Sequence, residues 1–110
     1  MKLNHFHVYV KELERAISWF ESVWSLTPSY QSDVMASFHQ DGFTFILDIA
    51  DDDIVSTIGF ESSDCDQDFE EVTSKGAKVI EKPTDKPWGV RAAYIQGPGK
   101  LILEIEEMKT

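Results

Sequence analysis

The hydrophobic pattern of this chain is written twice, and that duplication constrains its fold more than any other feature. Each half reads as a short strand, an amphipathic helix, and extended segments that end in an alternating strand. The first copy starts at Leu3 and fades in the acidic run Asp51-Asp52-Asp53; the second starts near Val55 and ends at Glu107. Half of a 110-residue chain buries its own apolar face poorly. Two half-sheets facing each other, within one chain or between two, would solve the problem and leave a cleft. One domain, residues 1–110, is therefore expected, with module one at about 1–52 and module two at about 53–110.

Strand parity separates the residues that hold such a fold together from those free to do chemistry. From Leu3 to Val10, Phe6, Val8 and Val10 make an apolar row, and His5, His7 and Tyr9 make the opposite one. A helix follows, with Leu13, Ala16, Ile17, Phe20 and Trp24 at three- and four-residue steps; Pro28 forbids its continuation. Short strands around Tyr30 and Met35 to His39 lead to an Asp41-Gly42 hairpin turn. Phe43, Phe45, Leu47 and Ile49 then face one way, leaving Thr44, Ile46 and Asp48 on the other side.

The second half repeats the order. Val55 to Phe60 reads as a strand, Ser63 or Asp64 as a helix cap, Phe69 and Val72 as the inward helix face, and Gly76 as the helix stop. Lys78 to Ile80 reads as a short strand and Lys82 to Pro87 as a loop, because two prolines interrupt it. A strand from Trp88 to Ile95, a Gly97-Pro98-Gly99-Lys100 turn and a closing strand from Leu101 to Glu106 complete the copy. In that last strand Leu101, Leu103 and Ile105 should face the helix, and Ile102, Glu104 and Glu106 the other side. A curled sheet would place His5, His7, Tyr9, Asp48, Glu104 and Glu106 on its concave face. The strand from Trp88 is ambiguous by parity, with Trp88, Val90, Ala92 and Tyr94 in one row and Arg91 in the other.

Charge narrows the partners. The formal net charge is −10, which disfavours nucleic acid, anionic membrane surfaces and polyphosphates and suits a cationic or neutral small ligand. Cys65 is the only cysteine, so no disulfide framework is expected and a reducing cytoplasm is the expected compartment. It is a poor nucleophile, because the charges of Asp64, Asp66 and Asp68 oppose thiolate formation. No apolar run is long enough to span a bilayer, and Met1-Lys2-Leu3-Asn4 starts a strand pattern, not a signal peptide.

Two stretches carry a resemblance. HFHVYVKELERAISWFESVW, beginning at His5, and KPWGVRAAYIQGPGKLILEIEE, beginning at Lys86, are similar to the opening and closing motifs of the vicinal oxygen chelate superfamily. That group includes glyoxalase I, extradiol dioxygenases, fosfomycin resistance enzymes and bleomycin-binding proteins. The resemblance implies an α+β fold of two βαβββ modules, mixed sheets curved around a cavity with helices outside, usually completed by homodimerisation. It also implies up to four metal-ligand positions. These fall on His5, on Glu104, on Asp48 through a short loop, and near Thr57, whose hydroxyl is a poor ligand. Gly97-Pro98-Gly99-Lys100 replaces the family's Asp-Pro-Asp-Gly turn. Ser25 stands where glycine usually ends the first helix, so that helix end is expected to differ.

Two functions of different class follow. The preferred one is a small-molecule-binding protein that sequesters a cationic or aromatic organic ligand, with His7, Tyr9, Trp88, Tyr94, Ile102 and Glu106 lining the site. The rival is a glyoxalase-like lyase or isomerase that holds Zn²⁺, Ni²⁺, Mn²⁺ or Fe²⁺ on His5, Glu104 and Asp48, with Glu104 also the catalytic base. His7, two residues from His5 on the same strand face, can reach an ion shared with it. Without a metal, His5 and Glu104 would make a hydrogen-bonded pair. An extradiol dioxygenase is disfavoured, since Thr57 supplies no second histidine. Arg91 either grips a carboxylate ligand or forms an outer salt bridge.

Overall fold

The computed structural model of the chain describes residues 4–109, so Leu3 lies outside it. Ten elements follow the order expected: β1 (His5–Val10), α1 (Leu13–Ser22), β2 (Tyr30–Gln31), β3 (Met35–Gln40), β4 (Phe43–Ile49), β5 (Ser56–Glu61), α2 (Cys65–Ser74), β6 (Lys78–Asp85), β7 (Val90–Gln96) and β8 (Leu101–Met108). They form an α+β architecture of two four-stranded mixed sheets, ordered β1-β4-β3-β2 and β5-β8-β7-β6. Two compact units divide the chain: residues 1–54 with 98–100, and residues 55–97 with 101–110. Among the described residues, no helix is long and apolar enough to cross a membrane.

In the first unit β1 runs parallel to β4, with Phe6 beside Phe45 and Val8 beside Leu47, so the two apolar rows share a face. Amphipathic α1 packs on β3 and β4 and buries Leu13, Ala16, Ile17 and Phe20. Each fully buried large side chain of this kind stabilises by roughly 1.5–3 kcal/mol. Phe20 meets Phe38 and Phe45 with ring centroids 5.2 and 5.4 Å away, an aromatic core. The β3–β4 turn has Asp41 at φ 50° and Gly42 at φ 83°. Positive φ at both central residues matches the right-handed strand twist, and Asp-Gly tolerates it.

The end of α1 corrects one expectation. Ser25 takes the left-handed position itself, at φ 59°, and the Leu26 N–H closes back on the Phe20 carbonyl at 3.0 Å. The glycine-type cap survives with serine, against a local cost of about 1–2 kcal/mol.

In the second unit β5 runs parallel to β8, with Ile58 beside Leu103 and Phe60 beside Ile105. The core is aliphatic: Ile95, Leu101, Leu103 and Ile105 are buried under α2, which packs on β6, β7 and β8. Asp64 is the cap of α2 and accepts from the Gln67 N–H at 3.1 Å, and Gly76 follows the helix at φ 102°.

Three boundaries here depart from expectation. The segment read as a loop from Lys82 is strand as far as Asp85, because β6 is the edge of its sheet and pairs with β7 alone. An edge strand tolerates Pro83, and register shifts on both sides of Glu81 absorb the mismatch. Trp88 is not in a strand: the Gly89 N–H bonds to the Lys86 carbonyl and the Lys86 N–H to the Val90 carbonyl, closing a turn. Strand β5 begins at Ser56 and runs one residue beyond Phe60, to Glu61.

Candidate functional site

The polar row of the first sheet is rich in imidazole. Register aligns His5 with Thr44, His7 with Ile46 and Tyr9 with Asp48 on the parallel side. It aligns His39 with Thr44 and Met35 with Asp48 on the antiparallel side. Since partners in register share a face, His5, His7, Tyr9, His39 and Asp48 lie on one surface. His7 Nδ1 lies 2.6 Å from Asp48 Oδ2, and His5 Nδ1 lies 2.7 Å from Asn4 Oδ1. The two rings meet edge to face, 5.1 Å between centroids. His39 Nδ1 is held at 2.8 Å by Thr44 Oγ1. Tyr9 is 40% exposed.

The polar row of the second sheet is rich in carboxylate. Register settles the ambiguous parity of β7: Tyr94 is opposite Glu104, Ala92 opposite Glu106 and Gln96 opposite Ile102. Thr57, Gly59 and Glu61 align with Ile102, Glu104 and Glu106 on the parallel side. The Tyr94 hydroxyl donates to Glu104 Oε2 at 2.9 Å. Burial, then the bond to Glu104, raise the Tyr94 phenol above its ordinary value, so it stays a donor. Opposite Glu104, Gly59 has no side chain; a Cβ there would lie 3.4 Å from Glu104 Oε1. The space belongs to a hollow of about 290 Å³ lined by Gly59, Phe60, Glu61, Glu104, Glu106 and Met108. Beside it, Lys86 pairs with Glu81 and sits 5.5 Å from the centre of the Tyr94 ring.

The sites expected from sequence thus fall into two groups. His5, His7, Tyr9 and Asp48 share the polar face of the first sheet, and Tyr94, Ile102, Glu104 and Glu106 that of the second. Trp88 drops out of the aromatic row, for it projects from the turn before β7 and is 66% exposed. Gly59, Glu61 and Lys86 were not foreseen. Alternation in β5 puts Glu61 in the row of Thr57, and only the strand's extra residue brings it in.

A larger hollow, about 670 Å³, lies at the start of α1 among Lys11, Arg15, Glu12, Glu14 and Asp33. Its mixed charges favour neither ligand sign. Arg91 is structural: its Nε and Nη2 grip Asp66 at 2.7 and 3.0 Å, and Nη1 reaches Asp85 at 3.1 Å. Cys65 has its thiol pushed up to about 11, with burial the largest cause and Asp66 next. Glu107 and Asp68 raise it further and Arg91 opposes them; Asp64, expected to contribute, is not among the causes and accepts instead from the Gln67 N–H.

A model of the Glyoxalase/Bleomycin resistance protein/Dioxygenase superfamily matches residues 2–105. The chain belongs to that superfamily. Among solved structures, it is similar to a protein described as a conserved domain protein, 25% identical over 99% of this chain and all of the other, with a TM-score of 0.86. A glyoxalase/bleomycin resistance protein/dioxygenase from Nocardioides is 18% identical over 99% of this chain and 84% of its own, TM-score 0.84. One from Burkholderia phytofirmans is 10% identical over 98% and 99%, TM-score 0.80. These last two likenesses concern the fold alone. No functionally curated protein matches the chain.

The metal that the rival reading requires fits these residues incompletely. His5 retains a nitrogen, but Asp48 is engaged by His7 and Glu104 by Tyr94. Thr57 lies on the polar face beside Ile102 and offers only a hydroxyl, so the four-ligand set is one good donor short. Among the described residues, the three potential ligands whose donor atoms lie within 4.8 Å of one another are Asp64, Asp66 and Glu107. Each already serves α2 or a neighbouring cation: Asp64 caps the helix, Asp66 holds Arg91, and Glu107 accepts from the Cys65 N–H at 2.8 Å.

Proposed function

We propose that this superfamily member binds and sequesters a small organic cation carrying no more than one aromatic ring, at the acidic face of its second sheet. The observation that carries the reading is the hollow over Gly59, whose lining holds three carboxylates and no basic residue. The Tyr94 hydroxyl fixes the Glu104 carboxylate, so little side-chain ordering is left for binding. A net charge of −10 adds long-range attraction for cations. The volume, at the small end for ligand sites, limits the guest. Phe60 and Met108, which line the same hollow, supply apolar surface. Homodimerisation and a cytoplasmic location complete the proposal.

Calorimetry with benzyltrimethylammonium, set against its neutral carbon isostere, tests the reading. The cation should bind and the isostere should not, and E104Q should weaken binding about tenfold, the loss of one charge-assisted contact. Equal binding of both compounds, or none of either, defeats it. The rival lyase or isomerase would instead take up a divalent metal in a manner that needs both His5 and Glu104.

A further inference from the structure

We infer that the second sheet carries a cation subsite of its own, built from the Glu81 carboxylate and the face of the Tyr94 ring, and that the Lys86 ammonium is its tethered occupant. The ligand class of the subsite is a primary alkylammonium. Lys86 is thereby a specificity determinant of the acidic face: it covers aromatic surface that a free cation would otherwise take.

Strand register brings the parts together. The irregular pairing of β6 with β7 places Glu81 opposite Tyr94, and Tyr94 is opposite Glu104, so all three share the polar face. The Tyr94 hydroxyl is committed to Glu104, which holds the ring by its polar edge. Lys86 Nζ pairs with Glu81 and lies 5.5 Å from the centre of the ring, inside the roughly 6 Å reach of a cation–π contact. A carboxylate beside an aromatic face is a receptor for an ammonium group, and here the ammonium belongs to the chain.

Burial sets this contact apart from a surface ion pair. The Lys86 side chain is 15% exposed, whereas that of Lys109, paired with Glu107, is 48% exposed. Removing an ammonium from water is costly unless partners replace its hydration, and Glu81 and Tyr94 are those partners. The backbone is held separately. The Lys86 N–H donates to the Val90 carbonyl at 2.7 Å, and the Lys86 carbonyl accepts from the Gly89 N–H at 3.1 Å, so the turn does not depend on the side chain. A tethered ammonium is an intramolecular ligand of high effective concentration, and free alkylammonium ions compete with it poorly. The subsite stands whether or not the hollow over Gly59 takes a guest; only the effect of Lys86 on guest choice rests on that reading.

The probe is n-propylammonium, the part of the side chain that K86A removes. Titration followed by nuclear magnetic resonance at constant ionic strength should show saturable shifts of the Glu81 and Tyr94 signals in K86A. Binding should be about tenfold weaker in the parent chain and in the K86A E81Q double variant, and 1-propanol should give no saturable shift. Equal shifts in the parent and K86A, no saturation in K86A, or undiminished binding in the double variant overturns the subsite. A second measurement, on chains that keep Lys86, holds even where K86A fails to fold. Acetic anhydride, read by mass spectrometry, should modify Lys86 of the parent several-fold more slowly than exposed Lys78, and E81Q should speed Lys86 alone. Lys86 as reactive as Lys78, or unchanged by E81Q, overturns the subsite equally. Benzyltrimethylammonium binding to the parent decides the hollow by itself, so the two readings fail separately.

Discussion

The two units share an order of elements and differ in what fills them. Both pair their first and last strands in parallel over six residue pairs, and both cover one face with a ten-residue helix. Below the helix the first unit stacks Phe20, Phe38 and Phe45, whereas the second packs Ile95, Leu101, Leu103 and Ile105. On the opposite faces the contrast is chemical: each carries a phenol, Tyr9 or Tyr94, but it stands among imidazoles and one carboxylate in the first and among carboxylates in the second. Strand geometry explains how this comes about. With a period of two, the helix-facing register must stay apolar, while the alternate register is unconstrained by packing and free to take up chemistry.

The largest expected effect tests the contrast between the cores. Phe20 is fully buried against two rings, so F20A should cost about 3–5 kcal/mol in urea unfolding. V72A, at the helix–sheet contact of the second unit, should cost about 1–2 kcal/mol. Equal losses would erase the distinction.

A smaller effect separates the two helix starts. Asp64 makes a side-chain cap bond and Glu12 makes none. D64A should destabilise by about 1 kcal/mol and E12A by no more than a few tenths, measured by thermal unfolding.

The smallest effect concerns acid. Asp66 lies below its ordinary value chiefly through its bond to Arg91, and Glu107 chiefly through the Cys65 N–H. Depressed folded values mean that the stabilisation is complete above the unfolded carboxylate range and is lost as pH falls through the folded one. D66N should therefore flatten the stability curve below about pH 4 and leave its slope near neutrality unchanged. An unaltered acid limb would remove Asp66 from the account.

Legibility followed the strength of the local signal. The row Phe43, Phe45, Leu47, Ile49 and the Asp41-Gly42 turn were readable because alternation and turn chemistry agree. The segment from Lys82 to Trp88 was not. Prolines argue for a loop only when every backbone donor is needed, and an edge strand leaves half of its donors unpaired. Trp88 was misplaced because its parity with Tyr94 holds only if Gly89, at φ 88°, continues the strand. Glu61 and Gly59 escaped notice because one is a boundary residue and the other has no side chain; a missing side chain becomes a feature only beside a known neighbour, here Glu104.

The sequence alone determined the two βαβββ units, the helix-facing rows and the identity of the polar rows, because these depend on periodicity along the chain. Which polar side chains meet was decided by tertiary structure. The pairing of His7 with Asp48 spans 41 positions, and that of Tyr94 with Glu104 depends on strand register. Register is fixed by the packing of the apolar faces as a whole, which no single stretch of residues encodes.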